Sequence, residues 1–367
     1  MEQHKRTVFR NAAVLLVTAV VAAFLFGELT KPKFYNDNYW PLDVTYQGFY
    51  EMEKDSVDVI FLGSSHAISA FSPQELYDSC GIRSFNLSSE EQSLFVSYYW
   101  LKEAIRLQSP KAVVLDTVVV FPYMETPYNC TEPAVRKALD PMKWSNVKLE
   151  AVTELHKLDA QQTLASFVFP VIRYHARWNA LEANDFRFWP PQNTSLKGYA
   201  VLSEDAMIED FVPVRDEDCE PAGVSVRMME YLKKIEDLCK EEGIELILVN
   251  TPYLEATNAA HRAMADHAEA AGVTYINFNE ESVYEQLDFD FPRDMADAGH
   301  ANTSGAVKLT DYIGTVLKEK GVPSEADAQY EESRAYALRQ IKNANLYRID
   351  SFDEYWNSID PSDYLIF

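Results

Sequence analysis

Apolar residues follow two different rhythms along this chain. From residue 57 onward, short and nearly unbroken apolar runs alternate with longer stretches in which apolar positions recur every three or four residues. The runs at 57–62 (VDVIFL), 112–116 (AVVLD), 245–250 (ELILVN) and 273–278 (VTYINF) predict strands, and 83–87 (RSFNL) predicts a weaker one. Between them the helical rhythm predicts helices from Ser72 onward and over 93–107, 226–242, 259–271 and 304–320. Ser72-Pro73-Gln74-Glu75 carries a capping serine, a first-turn proline and a glutamate three residues on. Gly243 and Gly272 stop two of the helices. Val307, Leu309, Ile313, Val316 and Leu317 form the stripe of the last. Strands alternating with helices predict an α/β fold, with a parallel sheet covered by helices on both faces. The almost wholly apolar strands fit that burial.

Four stretches lie outside this alternation. Residues 7–30 hold an apolar run preceded by Lys5, Arg6 and Arg10. Its length is near the roughly 20 residues that cross a bilayer. The basic flank then stays cytoplasmic and places the rest of the chain outside, as a single-pass, extracytoplasmic protein. A cleavable signal peptide is the competing reading, but Phe24-Leu25-Phe26 carries the apolar run past the small-residue stretch at Val21-Ala22-Ala23. Residues 31–56, rich in aromatics, read as a stalk that packs onto the domain 57–320. Residues 118–223 are too long for a simple crossover and read as an insertion on the strand-end edge, either a substrate-binding cap or extra packing. After 320 comes an acidic, Tyr-rich extension, 321–367. A helix is expected there over 331–343, a strand at 346–349, and an edge strand or the approach to a further element at 364–367.

Charge narrows the partners. The chain carries 57 acidic against 33 basic residues, a net charge of −24, which excludes a nucleic-acid partner through phosphate repulsion. The four cysteines contain no CxxC pair and no spaced ligand set for a metal is present, so neither metal nor cofactor is expected. Cys130 and Cys219 share one irregular region and could pair, and free buried thiols are the alternative.

The candidate chemistry sits at strand ends, where sites form in such sheets. Gly63-Ser64-Ser65-His66 follows the first strand, and Asp297-Ala298-Gly299-His300 precedes the last helix. A serine hydroxyl becomes a nucleophile when a base takes its proton, and a carboxylate orients the imidazole that does so. Asp297 and His300 can meet within one short loop. His66 is expected to point away from the nucleophile. Arg173-Tyr174-His175-Ala176-Arg177-Trp178 is a basic-aromatic cluster in an acidic chain. Its Arg173, His175, Arg177 and Trp178 could hold a carboxylate, phosphate or sugar face, or could simply pair with surplus carboxylates.

With these blocks in place, the region from 57 to 320, insertion aside, resembles the SGNH/GDSL hydrolase superfamily. Gly63-Ser64-Ser65 stands where that family has Gly-Asp-Ser, and Asp297-x-x-His300 matches its last block. Asn302 and Gly305 extend the match to a His-x-Asn-x-x-Gly form. The chain is similar to the subgroup related to the D-alanine-transfer protein of teichoic acid synthesis and to hydrolase-like proteins that accompany membrane-bound O-acyltransferases. The resemblance implies a three-layer, flavodoxin-like parallel sheet with Ser65 as nucleophile, His300 as base and Asp297 as its orienter. It implies an esterase or O-acyltransferase acting on acyl, chiefly acetyl, esters of an envelope polysaccharide, with a membrane-bound O-acyltransferase as a partner. Two departures stand out. The second block, Asn86-Leu87-Ser88-Ser89, has no glycine, and Asp116-Thr117 replaces Gly-x-Asn-Asp. The oxyanion donors expected are therefore the N–H groups of Ser65 and Ser88, with the Asn86 side chain contributing. The rival readings are a non-catalytic glycan-binding or scaffold protein of the same fold and a lipid esterase.

Overall fold

The computed structural model describes residues 2–33, 42–187, 196–346, 348–349 and 351–359. It opens with helix α1 (Glu2–Thr30), followed by α2 (Leu42–Glu51) and strand β1 (Val59–Leu62). Then come α3 (Ser65–Ala70), α4 (Pro73–Cys80), β2 (Ser84–Asn86), α5 (Leu94–Leu107) and β3 (Ala112–Asp116). The insertion contributes α6 (Glu132–Leu139), α7 (Asn146–Leu158), α8 (Leu164–Val168) and α9 (Val171–Tyr174), plus 3₁₀ turns at Val118–Val120, His175–Asn179 and Ala183–Phe186. The chain continues through α10 (Val226–Glu242), β4 (Glu245–Asn250), α11 (Asn258–Ala271), β5 (Thr274–Asn277), α12 (Glu281–Gln286) and α13 (Phe291–Asp294). It closes with α14 (Thr303–Glu319), α15 (Ala328–Leu346) and α16 (Phe352–Ser358).

The chain divides into two units, Met1–Tyr35 with Lys143–Pro191, and Asn36–Met142 with Gln192–Phe367. The larger unit holds a five-stranded sheet in the order β2-β1-β3-β4-β5, with every neighbouring pair parallel. This 2-1-3-4-5 order is doubly wound. Side chains alternate across the pleat. Val59, Phe61, Val114, Ile247 and Val249 join one apolar core with Leu76 of α4 and Leu309, Ile313 and Leu317 of α14. Ile60, Leu62, Val113, Leu115 and Leu248 are equally buried and serve the other face, where α5 and α10 pair through Phe95 and Tyr231, ring centroids 5.2 Å apart.

Only part of the expected stalk behaves as one piece. Its segment 42–51 is helical, with Tyr46 stacked on Trp100 at 4.3 Å and Phe49 edge-on to Phe85. Residues 34–41, Phe188 to Ser195 (which include Trp189) and the edge strand expected at 364–367 lie outside the described residues. The insertion is not one body either. Its first part stays with the sheet, 143–191 joins α1 in the smaller unit, and its last part returns to the sheet unit as extended chain. There the Lys197 carbonyl accepts from Asn86 N–H at the open edge of β2 (2.9 Å), and Gly198 lies so close that a Cβ would sit 1.9 Å from the Asn86 carbonyl oxygen. The strand expected at 346–349 is absent among the described residues. Leu346 instead ends α15, which is fixed on the sheet unit by the buried Tyr330, whose hydroxyl donates to the Ser84 carbonyl at 2.6 Å. All four cysteines are free, so Cys130 and Cys219 do not pair.

In the smaller unit, α1 passes α9 at Gly27, where a Cβ would fall 2.6 Å from the Val171 nitrogen. Of the described helices, α1 is the one long and apolar enough to cross a membrane, and almost none of its apolar stretch is covered by protein.

Candidate active site

All five strands are parallel, so their carboxyl ends share one edge, and the loops leaving them build the site. Gly63 leaves β1 at φ +156°, with room for hydrogen only. A Cβ there would lie 2.7 Å from the Asp116 Cβ and 2.8 Å from that of Ala67. The turn hands the chain to α3, whose N-cap is Ser64. The Ser64 Oγ accepts from the His66 N–H (3.4 Å) and donates to the Asp116 carboxylate (3.3 Å). Ser65 is the first helical residue, so its N–H has no acceptor within the helix.

His300 is held from the far end of the sequence. An antiparallel bridge between Met295 and Ala301 closes its loop, and the His300 carbonyl accepts from Ala296 N–H at 2.7 Å. Asn302 locks this loop to α14. Its Oδ1 caps Ser304 and Gly305 N–H, while its Nδ2 donates to the carbonyls of Arg293 and Glu204 (2.6 and 3.0 Å). Gly305 lets α14 start directly against Asp294, whose carbonyl oxygen would be 2.2 Å from a Cβ.

The two ends meet. His300 Nε2 lies 2.9 Å from Ser65 Oγ, and His300 Nδ1 lies 2.8 Å from Asp297 Oδ2. Asp297 Oδ1 also accepts the N–H groups of Gly299 and His300 (2.8 and 3.0 Å). Partial burial alone raises the carboxyl's pKa. The hydrogen bond from His300, with those from Gly299 and the His300 backbone, outweighs it and leaves Asp297 below the ordinary carboxylate value. An ionised Asp297 accepts a proton-bearing Nδ1, which assigns Nε2 as the bare nitrogen able to accept the Ser65 hydroxyl.

His66 does not point away from this group. Its ring centroid lies 5.3 Å from that of His300 and 5.8 Å from that of Tyr253, and Gly299 passes so near that a Cβ would meet the ring at 3.1 Å. The short α3 turns its second residue back along the same edge. Burial, reinforced by His300, pushes the His66 pKa down to about 3, so the imidazole stays neutral beside the other. Below lies a polar band, of which sequence reasoning placed Asp116, Thr117 and Asn250 at strand ends on this edge and left Asn277 and Asn279 unread. Asp116 is completely buried, and that burial pushes its pKa up to about 7. Thr117 Oγ1 donates to Asn250 Oδ1 at 2.7 Å. Asn279 Nδ2 donates to the Thr251 carbonyl and to Asn277 Oδ1, and its own Oδ1 accepts Tyr253 N–H, all at 2.9 Å. The Asn-x-Asn pattern closing β5 was the available signal.

Two expected oxyanion donors are already engaged. Asn86 Nδ2 donates to the carbonyls of Ala67 and Phe71 (2.9 and 3.1 Å), and its Oδ1 accepts the Ser88 N–H at 3.1 Å. Asn86 thus fastens the end of α3 to the β2 loop and holds the Ser88 N–H in the process. Of the three candidates, the Ser65 N–H remains open.

The basic-aromatic cluster belongs to the smaller unit, not to the one that holds Ser65 and His300. Arg177 donates to the Thr30 carbonyl at the end of α1 (2.7 Å) and pairs with buried Asp185 at 3.0 Å, so its guanidinium is committed to structure rather than to a ligand. Arg173 lies over the Tyr174 ring (5.4 Å), His175 Nδ1 faces the Ile172 carbonyl (3.3 Å), and Trp178 stands largely in the open. Among the described residues no cluster of three His, Cys, Asp or Glu side chains could hold a metal ion. A search of protein-family models and a search of curated proteins each find no match to this chain.

Proposed function

We propose that this protein is a membrane-anchored serine esterase or O-acyltransferase of the SGNH type, acting outside the cytoplasm on acyl, chiefly acetyl, esters of an envelope glycan. The observation that carries the reading is the 2.9 Å separation of Ser65 Oγ and His300 Nε2, with Asp297 behind the imidazole. The ordering of the three groups supports nucleophilic catalysis. Ser65 Oγ attacks the acyl carbonyl carbon as its proton passes to His300 Nε2. Asp297 stabilises the imidazolium. Expulsion of the sugar oxygen returns that proton to the leaving group and leaves an acyl-serine. Water or an acceptor hydroxyl, deprotonated by the same nitrogen, then takes the acyl group and restores the serine. Neutral His66 adds no competing positive charge.

The acidic chain and the apolar α1 support an uncharged ester near a membrane, and the resemblance to the O-acyltransferase-associated proteins alone suggests a membrane-bound O-acyltransferase as the source of acyl groups. A scaffold of the same fold is the reading favoured by the engaged Ser88 N–H and Asn86 amide. The full-length protein in detergent should label with a fluorophosphonate probe and release p-nitrophenol from its acetate ester, and Ser65→Ala should abolish both. Absence of labelling in the unmodified protein supports the scaffold, and equal activity in the variant rejects Ser65. Preference for lipid esters over acetylated glycans would redirect the substrate to the bilayer.

A further inference from the structure

The exit of α1 is built into a second apolar surface. Its apolar run from Ala12 to Gly27 spans about 24 Å at ~1.5 Å per residue, and flanking apolar residues bring it close to the roughly 30 Å of a bilayer core. The outer boundary of the bilayer then falls near Gly27. That residue meets α9, with the Pro170 ring and the Val171 nitrogen both against the place a Cβ would occupy. One residue on, Ile172 is 51 % exposed, and Val168, at the end of α8, is also open. Leu164, Trp178 and Phe186 of the same unit are exposed as well. Leu164 and Val168 lie four residues apart on α8, the spacing of one helical face, and Ile172 follows on α9. The end of α1 is pinned to this element by Arg177, which satisfies the Thr30 carbonyl and pairs with Asp185.

We propose that α8, α9 and the turns after them form a foot that lies in the outer headgroup layer of the bilayer, with Leu164, Val168, Ile172, Trp178 and Phe186 inserted between lipids. The inference rests on the anchored reading of α1. The occupant is lipid because the face continues a surface that lipid already covers. Val171, next to Ile172, meets α1 at Gly27, the residue after Leu25 and Phe26, which are themselves open. An indole at the boundary also suits Trp178, since amphipathic rings settle at headgroup depth. Insertion would add apolar contact beyond that of a single helix and fix the unit at one height above the membrane.

The test uses the full-length protein with Cys219→Ser, since the other three cysteines are buried. Single cysteines replacing Leu16, Ile172, Trp178 or Val226 are labelled with an environment-sensitive fluorophore, and the protein is reconstituted in phosphatidylcholine–phosphatidylglycerol vesicles. All four positions are exposed, so folding is not at stake. Brominated lipids should quench the probes at 172 and 178 with emission shifted to the blue, while the probe at 226 on α10 stays open to aqueous iodide. Iodide access at 172 and 178 equal to that at 226 overturns the foot, and quenching at 16 in the same vesicles shows that the anchor still stands. Loss of lipid quenching at 16 as well removes the anchor along with it. Probes at 172 and 178 shielded from both quenchers mean that protein covers the face, which also overturns the inference.

Discussion

Asp116 lies completely buried against the Gly63–Ser64 turn, and its ionisation should be readable as a pH dependence of stability. In the unfolded chain its carboxyl loses its proton near 3.8, while in the fold burial holds the proton up to about 7. Between those values the folded state carries one proton more than the unfolded state. Stability must therefore fall as pH rises, by about 1.4 kcal/mol per unit and up to about 4 kcal/mol in all. His66 works in the opposite sense. Its folded value near 3 lies below the ordinary 6.5, so the unfolded chain holds the extra proton and stability is lost as pH falls through that window. From about pH 4 to 6.5 the two slopes oppose each other, and the unmodified protein should respond weakly to pH through this pair. Asp116→Asn removes one of them. Urea unfolding of the full-length protein in detergent, followed by tryptophan fluorescence from about pH 4 to 8, gives the difference between variant and unmodified protein at each pH. That difference should move in favour of the variant as pH rises, by up to about 4 kcal/mol, whatever its level at the acid end. Two curves that stay parallel across the range would refute the reasoning, because a charge that costs nothing to bury has no linked proton.

Three further outcomes follow from the same geometry. Asp297→Asn keeps the shape of the loop but favours the wrong imidazole tautomer, and initial rates on an acetyl ester should fall roughly 10³–10⁴-fold with KM little changed. Gly63→Ala places a Cβ 2.7 Å from that of Asp116 at φ +156° and should lower stability by about 2–4 kcal/mol, read from the urea midpoint. Asn302→Ala removes the cap of α14 and the amide bonds to the Arg293 and Glu204 carbonyls, the first of which keeps the Arg348 guanidinium as a donor. Calorimetry should show a loss of about 1–3 kcal/mol, with esterase rate falling in step as the His300 loop loosens.

The strands and helices of the sheet unit were legible because their signals are local. β3, β4 and α10 have the bounds that apolar runs and capping residues predict, and Gly243 stops α10 in the left-handed conformation where expected. The meeting of Ser65 with His300 was legible at one remove: parallel strands put their ends on one edge, and both motifs follow such ends. What stayed hidden depends on direction or on distant partners. α3 has only six residues, so the Gly63 turn rather than any periodicity sets which way His66 faces. Asn86 looked like a free polar side chain because the carbonyls it serves, at Ala67 and Phe71, belong to another element. Arg177 was read for its charge, while its partners, Thr30 and Asp185, were invisible in the motif itself. α15 has a weak apolar stripe, so its end at Leu346 could not be told from the start of a strand.

The engaged Ser88 N–H sets the last question, because an acyl-transfer site gains about 10²–10³ in rate from one well-placed oxyanion donor. Asn86→Ala releases that N–H at a cost. Among the described residues the Phe71 carbonyl loses its donor, and the Ala67 carbonyl keeps only the Phe71 N–H at 3.3 Å. One stranded buried carbonyl and one weakened bond should lower stability by about 2–4 kcal/mol. Stability and chemistry thus move in opposite directions if Ser88 is the second donor, and together if it is not. The fluorophosphonate reaction separates them, since it reports acylation-like attack by Ser65 per folded molecule at temperatures well below unfolding. Faster labelling by a less stable Asn86→Ala protein means that Asn86 restrains an oxyanion hole built from Ser65 and Ser88. Labelling that slows with stability means that Asn86 is purely a clasp between α3 and the β2 loop, and that any second donor must come from another part of the strand-end edge.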